Sequence, residues 1–373
     1  MRVLVVNTGS SSLKHALVDT AEPADAAILA RGEQRWDPDA DAGRHATALR
    51  AALADAGGRA AAVGHRVVHG GAHFAGPARV DARARAAIAA LAPLAPLHTR
   101  AALEGIDAAA AALPGLPQVA CFDTVFHRTL PPEAATYALP REWSERLGLR
   151  RYGFHGLNVG WCTDQATRIL GAHRSRRLVV CHLGSGCSVS AVLDGRSVDT
   201  TMGYTPLEGV PMATRSGSID PGLLLRLLDS GIERDELDAA LNHRSGLLGL
   251  CGLAGLREVE LAATGGDERA GLALDVFVRG VSGAVAAMTT SLRGLDALVF
   301  SAGAGERSAL LRSAICARLS QLGVTLDDAA NARHAEQIGA AGGPVAVLVV
   351  PAGEEIVIAR AAARLLGGRG TGR

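Results

Sequence analysis

The sequence predicts an α/β protein made of two similar halves with a cleft between them, and three observations lead there. Short apolar runs of strand length alternate with alanine-rich stretches of helical length along the chain, which is the pattern of βα units. The chain also repeats itself: a shift of 175 positions lays Val3–Ser10 over Leu178–Ser185 and Ala16–Asp19 over Ala191–Asp194. Strand, glycine turn and strand therefore recur at half the chain length, as a duplicated unit would require. Finally, 373 residues that are 48% hydrophobic and 20% charged suffice for two cores.

Taken in order, Val3–Val6 reads as a buried strand, Asn7–Ser12 as a Gly/Ser turn with exposed N–H groups and hydroxyls, and the residues to Asp19 as a second strand. Such a turn suits either a plain hairpin or a phosphate cradle. It lacks the GxxxxGK[ST] spacing of a Walker loop. Alanine content and spacing predict helices at 46–56, 82–91 and 100–113, with short buried strands at 62–68 and 118–122. Arg66 and His69–Gly71 close the first of these strands, and Asp123 and Thr124 the second, with Leu97 and His98 ahead of a helix. Polar groups beyond the carboxyl ends of strands are where α/β folds hold ligands. Asp123 suits a helix cap as well as a ligand. Arg66 ends a buried strand, so its charge requires a partner.

The segment Thr200–Gly222 carries four glycines and three prolines around Arg215. An irregular stretch of that length in a compact chain is more often a working site than a connector, and a glycine-flanked arginine there suits phosphate or carboxylate oxygens. Helices are expected at 223–228, 236–241, 256–263 and 275–292, with a glycine-rich piece at 249–255. Strand 297–300 leads to a glycine turn, Ser301–Arg307, opening a helix over 308–319, an arrangement suited to an anion or a nucleotide. Strand 345–350 precedes a closing helix at 356–366, and Glu354 at its start suits capping or Mg²⁺.

Composition removes several classes. Net charge is +1 with no basic cluster beyond short runs, so nucleic acid is not expected as a partner. No apolar run is read as membrane-spanning and the amino terminus lacks an export signal, so a cytoplasmic location and no membrane partner are expected. Six cysteines without CxxC spacing read as reduced core residues. Lys14 is the one lysine among 38 basic residues, which marks a position where a compact ammonium is preferred to a guanidinium fork.

Ten blocks in order resemble the acetate kinase family: VNTGSSSLK (6–14), GHRVVHGG (64–71), APLH (95–98), FDTVFHRTLP (122–131), RRYGFHG (150–156), HLGSGCSV (182–189), VDTTMGYTPLEG (198–209), TRSGSIDP (214–221), SAGAGERSAL (301–310) and GEEIVIAR (353–360). The resemblance implies a duplicated actin-like fold and reversible phosphoryl transfer between ATP/ADP and acetate/acetyl phosphate. It also implies Mg²⁺, replaceable by Mn²⁺, and a homodimer. One lobe would span 1–125 closed by 355–373, the other 126–354. It assigns Asn7 and Glu354 to the metal, Lys14 to the nucleotide, Arg66 to the carboxylate, Asp123 to catalysis, and His155 with Arg215 to the transferring phosphoryl group. His182, Leu183, Gly184, Ser185 and Gly186 match one nucleotide loop, and Gly303, Ala304, Gly305, Glu306 and Arg307 the other. Val68, Leu97, Phe154 and Pro206 match the pocket for the acyl methyl.

The chain departs from the family at Ser185 and Arg307, each in place of an asparagine, at Val159 in place of a histidine, and at Gly255-Leu-Arg257, where Asp-x-Arg is usual. The phosphoryl machinery is kept and nucleotide recognition is altered. Propionate as substrate, another phosphoryl donor, and a non-catalytic nucleotide-binding protein are the alternative expectations. The chemistry fits the residues, because joining a carboxylate to a phosphate brings two anions together and demands positive charge, not a strong base.

Overall fold

The computed structural model describes residues 1–9, 12–21, 26–35, 44–56 and 59–367, of which 35, 44, 45, 96 and 97 by backbone alone. These fall into two compact units. The first comprises Met1–Arg128, His155–Asn158 and the chain from Gly353; the second comprises Thr129–Phe154 and Val159–Ala352.

In the first unit the elements run β1 (Arg2–Thr8), β2 (Ser12–Asp19), β3 (Ala27–Arg35), α1 (Arg44–Asp55), β4 (Ala62–Val67), β5 (Ala78–Arg79), α2 (Ala82–Ala89), α3 (Pro96–Ala112) and β6 (Gln118–Phe122). Its sheet has the order β3-β2-β1-β4-β6-β5. Successive side chains of a strand face opposite sides, and β1 divides accordingly. Val3 and Val5 pack in one core cluster, while Leu4 and Val6 pack in another with residues of α1 and α3. The helix expected from Arg100 begins instead at Pro96. A proline's missing N–H and fixed φ suit a first helical turn, so Leu97 and His98 lie inside α3.

The second unit opens with α4 (Pro132–Ala135) and α5 (Arg141–Leu147) and takes most of α6 (Gly156–Leu170). Then come β7 (Arg177–Leu183), β8 (Cys187–Leu193), β9 (Arg196–Thr200), α7 (Pro221–Asp229), α8 (Arg234–His243), α9 (Gly246–Cys251), α10 (Leu256–Thr264), α11 (Glu268–Leu292), β10 (Ala297–Ser301), α12 (Ala302–Arg307), α13 (Ala309–Ala317), α14 (Asp328–Ala332) and β11 (Ala346–Val349). Its sheet order is β11-β10-β7-β8-β9. Read backwards, that is the β3-β2-β1-β4-β6 order of the first sheet. In each sheet an antiparallel hairpin continues into parallel strands. The strand starts Arg2 and Ser12 map onto Arg177 and Cys187 at the 175-residue shift, so the repeat seen in the sequence is a repeat of architecture.

Three local outcomes differ from expectation. The 249–255 piece overlaps a short helix, α9. It starts at Gly246 with φ +61, and a Cβ there would lie 2.1 Å from the Met212 carbonyl oxygen. The turn at Ser301–Arg307 contains α12, bent at Gly303 (φ 2°, ψ −92°) after Ala302 with φ +63. Finally, α11 is 25 residues long with a mean hydropathy of 1.5 over its most apolar window, enough to cross a membrane by length and composition. Its buried stripe, including Phe277, Val281, Val285 and Leu292, lies on the helix that packs against β7 and β8.

The chain returns to the first unit in α15 (Glu354–Gly367). There Ile358, Ala359, Ala361 and Ala362 complete the cluster around Val3, Val5, Val119 and Cys121. All six cysteines are free and five are buried. Burial pushes the thiols of Cys121, Cys187 and Cys316 up to about 12, so they stay protonated and unreactive.

Candidate active site

In the first unit the parallel pairing of β4 with β6 sets Arg66 opposite Cys121 and Val67 opposite Phe122. Asp123 follows β6, and its N–H donates to the Val67 carbonyl at 3.1 Å. This register places the side chain of Asp123 beside that of Arg66. Nε donates to Oδ1 at 3.1 Å and Nη2 to Oδ2 at 2.6 Å. Burial would lower the Arg66 pKa, but the Asp123 carboxylate, with Glu354 and Glu355 nearby, outweighs it and holds the guanidinium above its ordinary value. The charge expected to need a partner has one, and Asp123 is an ion-pair partner and not a helix cap. A guanidinium has five N–H groups, and Asp123 takes two.

His155 is tied to the same corner through the backbone. It sits at φ +57, and the next residue's N–H donates to the Asp123 carbonyl at 2.9 Å. That residue is Gly156, where a Cβ would lie 2.2 Å from the same oxygen, so only glycine permits the approach. Glu354 is the first residue of α15, next to Gly353, whose N–H donates to Oδ1 of the fully buried Asn158 at 3.4 Å. Asn7 and Lys14 face each other in the β1–β2 register, with Lys14 exposed and also opposite Glu33 of β3. In the intervening turn, Gly9 donates to the Ser12 carbonyl at 2.8 Å; Ser10 and Ser11 lie outside the described residues. Val68 is half-buried, and the side chain of Leu97 is likewise outside the description.

Asn7 and Glu354 offer an amide oxygen and a carboxylate. No group of three or more His, Cys, Asp or Glu side chains suited to a metal occurs among the described residues. That sparse oxygen set fits Mg²⁺, which keeps waters and phosphate oxygens as its other ligands, and does not fit a metal needing a full protein cage.

In the second unit the Arg215 loop is held by the amino end of α9. Ser245, Leu247 and Leu248 donate their N–H groups to the carbonyls of Thr214, Met212 and Ala213 at 3.0, 2.9 and 3.0 Å. The Arg215 side chain reaches back along the loop, with Nη1 donating to the Pro206 carbonyl at 3.2 Å. Phe154 is buried and Pro206 half-buried. The β7–β8 turn closes by the Gly184 N–H donating to the Gly186 carbonyl at 3.2 Å, and Ser185 accepts from the Ala213 N–H at 3.2 Å.

A cavity of about 820 Å³ opens between this turn, α10 and α12. Gly184, Ser185, Arg257, Gly303, Ala304 and Arg307 line it, with Leu256 and Leu261 among its apolar walls. The volume suits a nucleotide-sized ligand. Both glycine loops singled out in the sequence thus border one cavity. Glu306 points elsewhere, its Oε1 accepting from the Ala352 N–H at 2.9 Å. His182 and Leu183 are buried strand residues, and Gly305 is buried within α12.

Two networks escaped the sequence reading. Glu208 accepts from the Tyr137 hydroxyl at 2.5 Å and from Nη2 of Arg151 at 2.6 Å, while the Tyr204 N–H donates to that hydroxyl at 2.8 Å. This braces the loop that carries Pro206. Arg312 forms the second network, beneath α12. Glu208 lies within the glycine- and proline-rich segment already singled out, but neither it nor Arg312 is marked individually by its neighbours in sequence.

The acetokinase family profile matches residues 2–360. The chain is 44% identical over 403 residues to an acetate kinase of Synechococcus sp., covering 99% of this chain and 100% of that protein. It is 45% identical to the acetate kinase of Deinococcus deserti, with 98% of each covered. Among solved structures, a propionate kinase from Francisella tularensis superposes with a TM-score of 0.89 at 36% identity, covering 96% of this chain and 98% of that one. The acetate kinase of Porphyromonas gingivalis superposes with a TM-score of 0.87 at 32% identity, covering 98% and 99%.

Proposed function

The chain belongs to the acetokinase family, and from that premise we propose that it transfers the γ-phosphoryl group of ATP reversibly to acetate, giving acetyl phosphate and ADP. The observation that carries this reading is the Arg66–Asp123 pair at the ends of β4 and β6. A guanidinium held rigidly by a buried carboxylate keeps donors for a second, substrate carboxylate, a need that a hydroxyl acceptor would not create.

An acetate oxygen is itself the nucleophile, so Asp123 has no proton to remove and serves to orient Arg66. Arg66 draws off the charge of the carboxylate. Arg215, anchored on the Pro206 carbonyl, and His155 take up the charge on the transferring phosphoryl group, as phosphoryl transfer demands of fixed positive groups. The family resemblance assigns Val68, Leu97, Phe154 and Pro206 to the acyl methyl group. The nucleotide occupies the 820 Å³ cavity, with Gly184, Ser185, Gly186 and the backbone of Gly303–Arg307 toward the phosphates and Arg257 toward the nucleoside; the family resemblance also assigns Lys14 to the nucleotide. Asn7 and Glu354 hold Mg²⁺, or Mn²⁺ in its place, which neutralises phosphate charge when bound. The protein works as a homodimer in the cytoplasm.

The Francisella neighbour supports a second reading, in which propionate is accepted too. One methylene is worth only about 1–3 kcal/mol of discrimination. Ser185, Arg257 and Arg307 line the cavity, so the donor can also depart from ATP.

Incubation with Mg-ATP, acetate and hydroxylamine should yield acetohydroxamate. Absence of product with ATP, GTP or pyrophosphate, against acetate and propionate alike, would reject the reading. Size-exclusion chromatography with light scattering checks the dimer.

A further inference from the structure

Arg312 of α13 heads the fully buried side chains by volume, at 0% exposure. Each of its five N–H groups has an acceptor. Nε donates to Oδ1 of Asn331 at 2.7 Å, Nη1 to the carbonyls of Gly305 and Glu306, both at 2.9 Å, and Nη2 to the Asn331 carbonyl at 2.9 Å and to Nδ1 of His334 at 3.0 Å. None of the five acceptors is a carboxylate. Glu260, a carboxylate close enough to act on Arg312, accepts from the Ser308 hydroxyl.

The acceptors are themselves fixed. Asn331 is 2% exposed, and its Nδ2 donates to the Ala309 carbonyl at 2.9 Å and the Ser313 hydroxyl at 2.8 Å. The same short helix, α12, opens with the bent turn of Ala302 and Gly303, whose backbone angles are sparsely populated. Such conformations persist only where the surroundings over-determine them. The two carbonyls that Arg312 holds end that turn, and Gly303, Ala304 and Arg307 form one side of the 820 Å³ cavity.

We propose that Arg312 is a positioning residue for the phosphoryl donor: its fork clamps the Gly305 and Glu306 carbonyls from beneath and so fixes the face that Gly303, Ala304 and Arg307 present to the nucleotide. This rests on the cavity being the ATP site. A lysine cannot replace it, since three donors on a flexible stem do not match the five donors of a rigid planar fork.

The test compares wild type with Arg312→Lys and, in case that variant folds poorly, His334→Ala, which removes one of the five acceptors. Mg-ATP and acetate affinities are measured by calorimetry, KM and kcat by hydroxamate assay, and Tm without ligand. Arg312→Lys should weaken ATP binding and raise its KM by about tenfold or more, as expected when hydrogen bonds to a charged group are lost. The acetate KM should stay within about twofold. His334→Ala should move ATP alone in the same direction by a few-fold. Unchanged ATP affinity in both variants overturns the proposal, as does a fall in Tm and active fraction with both KM values unmoved. Wild type that binds ATP without making acetyl phosphate would sink the activity and leave the clamp standing; wild type that binds no ATP would sink both.

Discussion

Asp123 and Arg66 meet in a two-point ion pair in which the carboxylate is 1% exposed and the guanidinium 19%. Removing either partner strands the other in a poorly solvated place. Arg66→Ala should therefore lower stability by about 2–3 kcal/mol, below the usual cost of breaking a buried pair because the guanidinium keeps some solvent. It should also raise the acetate KM. Asp123→Asn keeps an acceptor and should hold stability better while lowering kcat. Urea midpoints and hydroxamate kinetics on the two variants check the contrast; equal effects on stability and no change in acetate KM would contradict it.

Arg215 is anchored on its own loop. Its guanidinium rests on the Pro206 carbonyl, and the loop is held by backbone bonds to α9. Arg215→Ala should then leave Tm nearly unchanged while kcat falls by about 10²–10³, the scale of losing a donor to a developing charge. A near-normal rate removes this arginine from the mechanism.

Glu208 braces the loop between Thr200 and Gly209. A Cβ on Gly203 would lie 2.1 Å from the Tyr137 hydroxyl oxygen, so the loop packs directly on the Tyr137–Glu208 contact. Glu208→Ala leaves Arg151 and the Tyr137 hydroxyl without this acceptor and frees the segment bearing Pro206. The expected outcome is a Tm loss of several degrees, from a cost of about 1–3 kcal/mol, with a raised KM for acetate. An unmoved KM would show that the brace is purely structural.

His65 sets an acid limit. It is 2% exposed on β4, hydrogen-bonded to Oε1 of Gln118 at 2.6 Å, and burial lowers its pKa from 6.5 to about 4, the Gln118 bond countering only part. Between those values the unfolded chain binds more protons than the folded one, so stability rises with pH there. The neutral ring's contribution is complete above about pH 6.5 and lost as pH falls toward 4, by about 3 kcal/mol in all. Tm against pH should fall across that window in wild type and fall less steeply in His65→Gln; parallel profiles would count against the assignment.

Much of this was legible in the sequence for a physical reason. The β1–β2 and β7–β8 hairpins are apolar runs broken by glycine turns, and local pattern decides such elements. The residues of the proposed site that could be read were those forced to be unusual: Arg66 as a charge at the end of a buried strand, Arg215 among glycines and prolines, the two glycine loops. Arg312, Glu208 and Tyr137 were not legible, because an arginine in an alanine-rich helix or a glutamate in a loop has the same local signature whether solvated or buried. Glu208 finds Arg151 and Tyr137 far along the chain, and Arg312 finds its acceptors on α12 and around α14, contacts that only the folded backbone sets. The Glu306 carboxylate likewise has a partner that its motif does not announce, the Ala352 N–H.

The first unit is begun by the earliest residues and finished by the latest. Its sheet is sealed by Ile358, Ala359, Ala361 and Ala362 of α15, which leave the ribosome only after every residue of the second unit. During synthesis the strands around Val3 and Val5 must therefore wait with one apolar flank uncovered, and the later half of the polypeptide can settle before the earlier one.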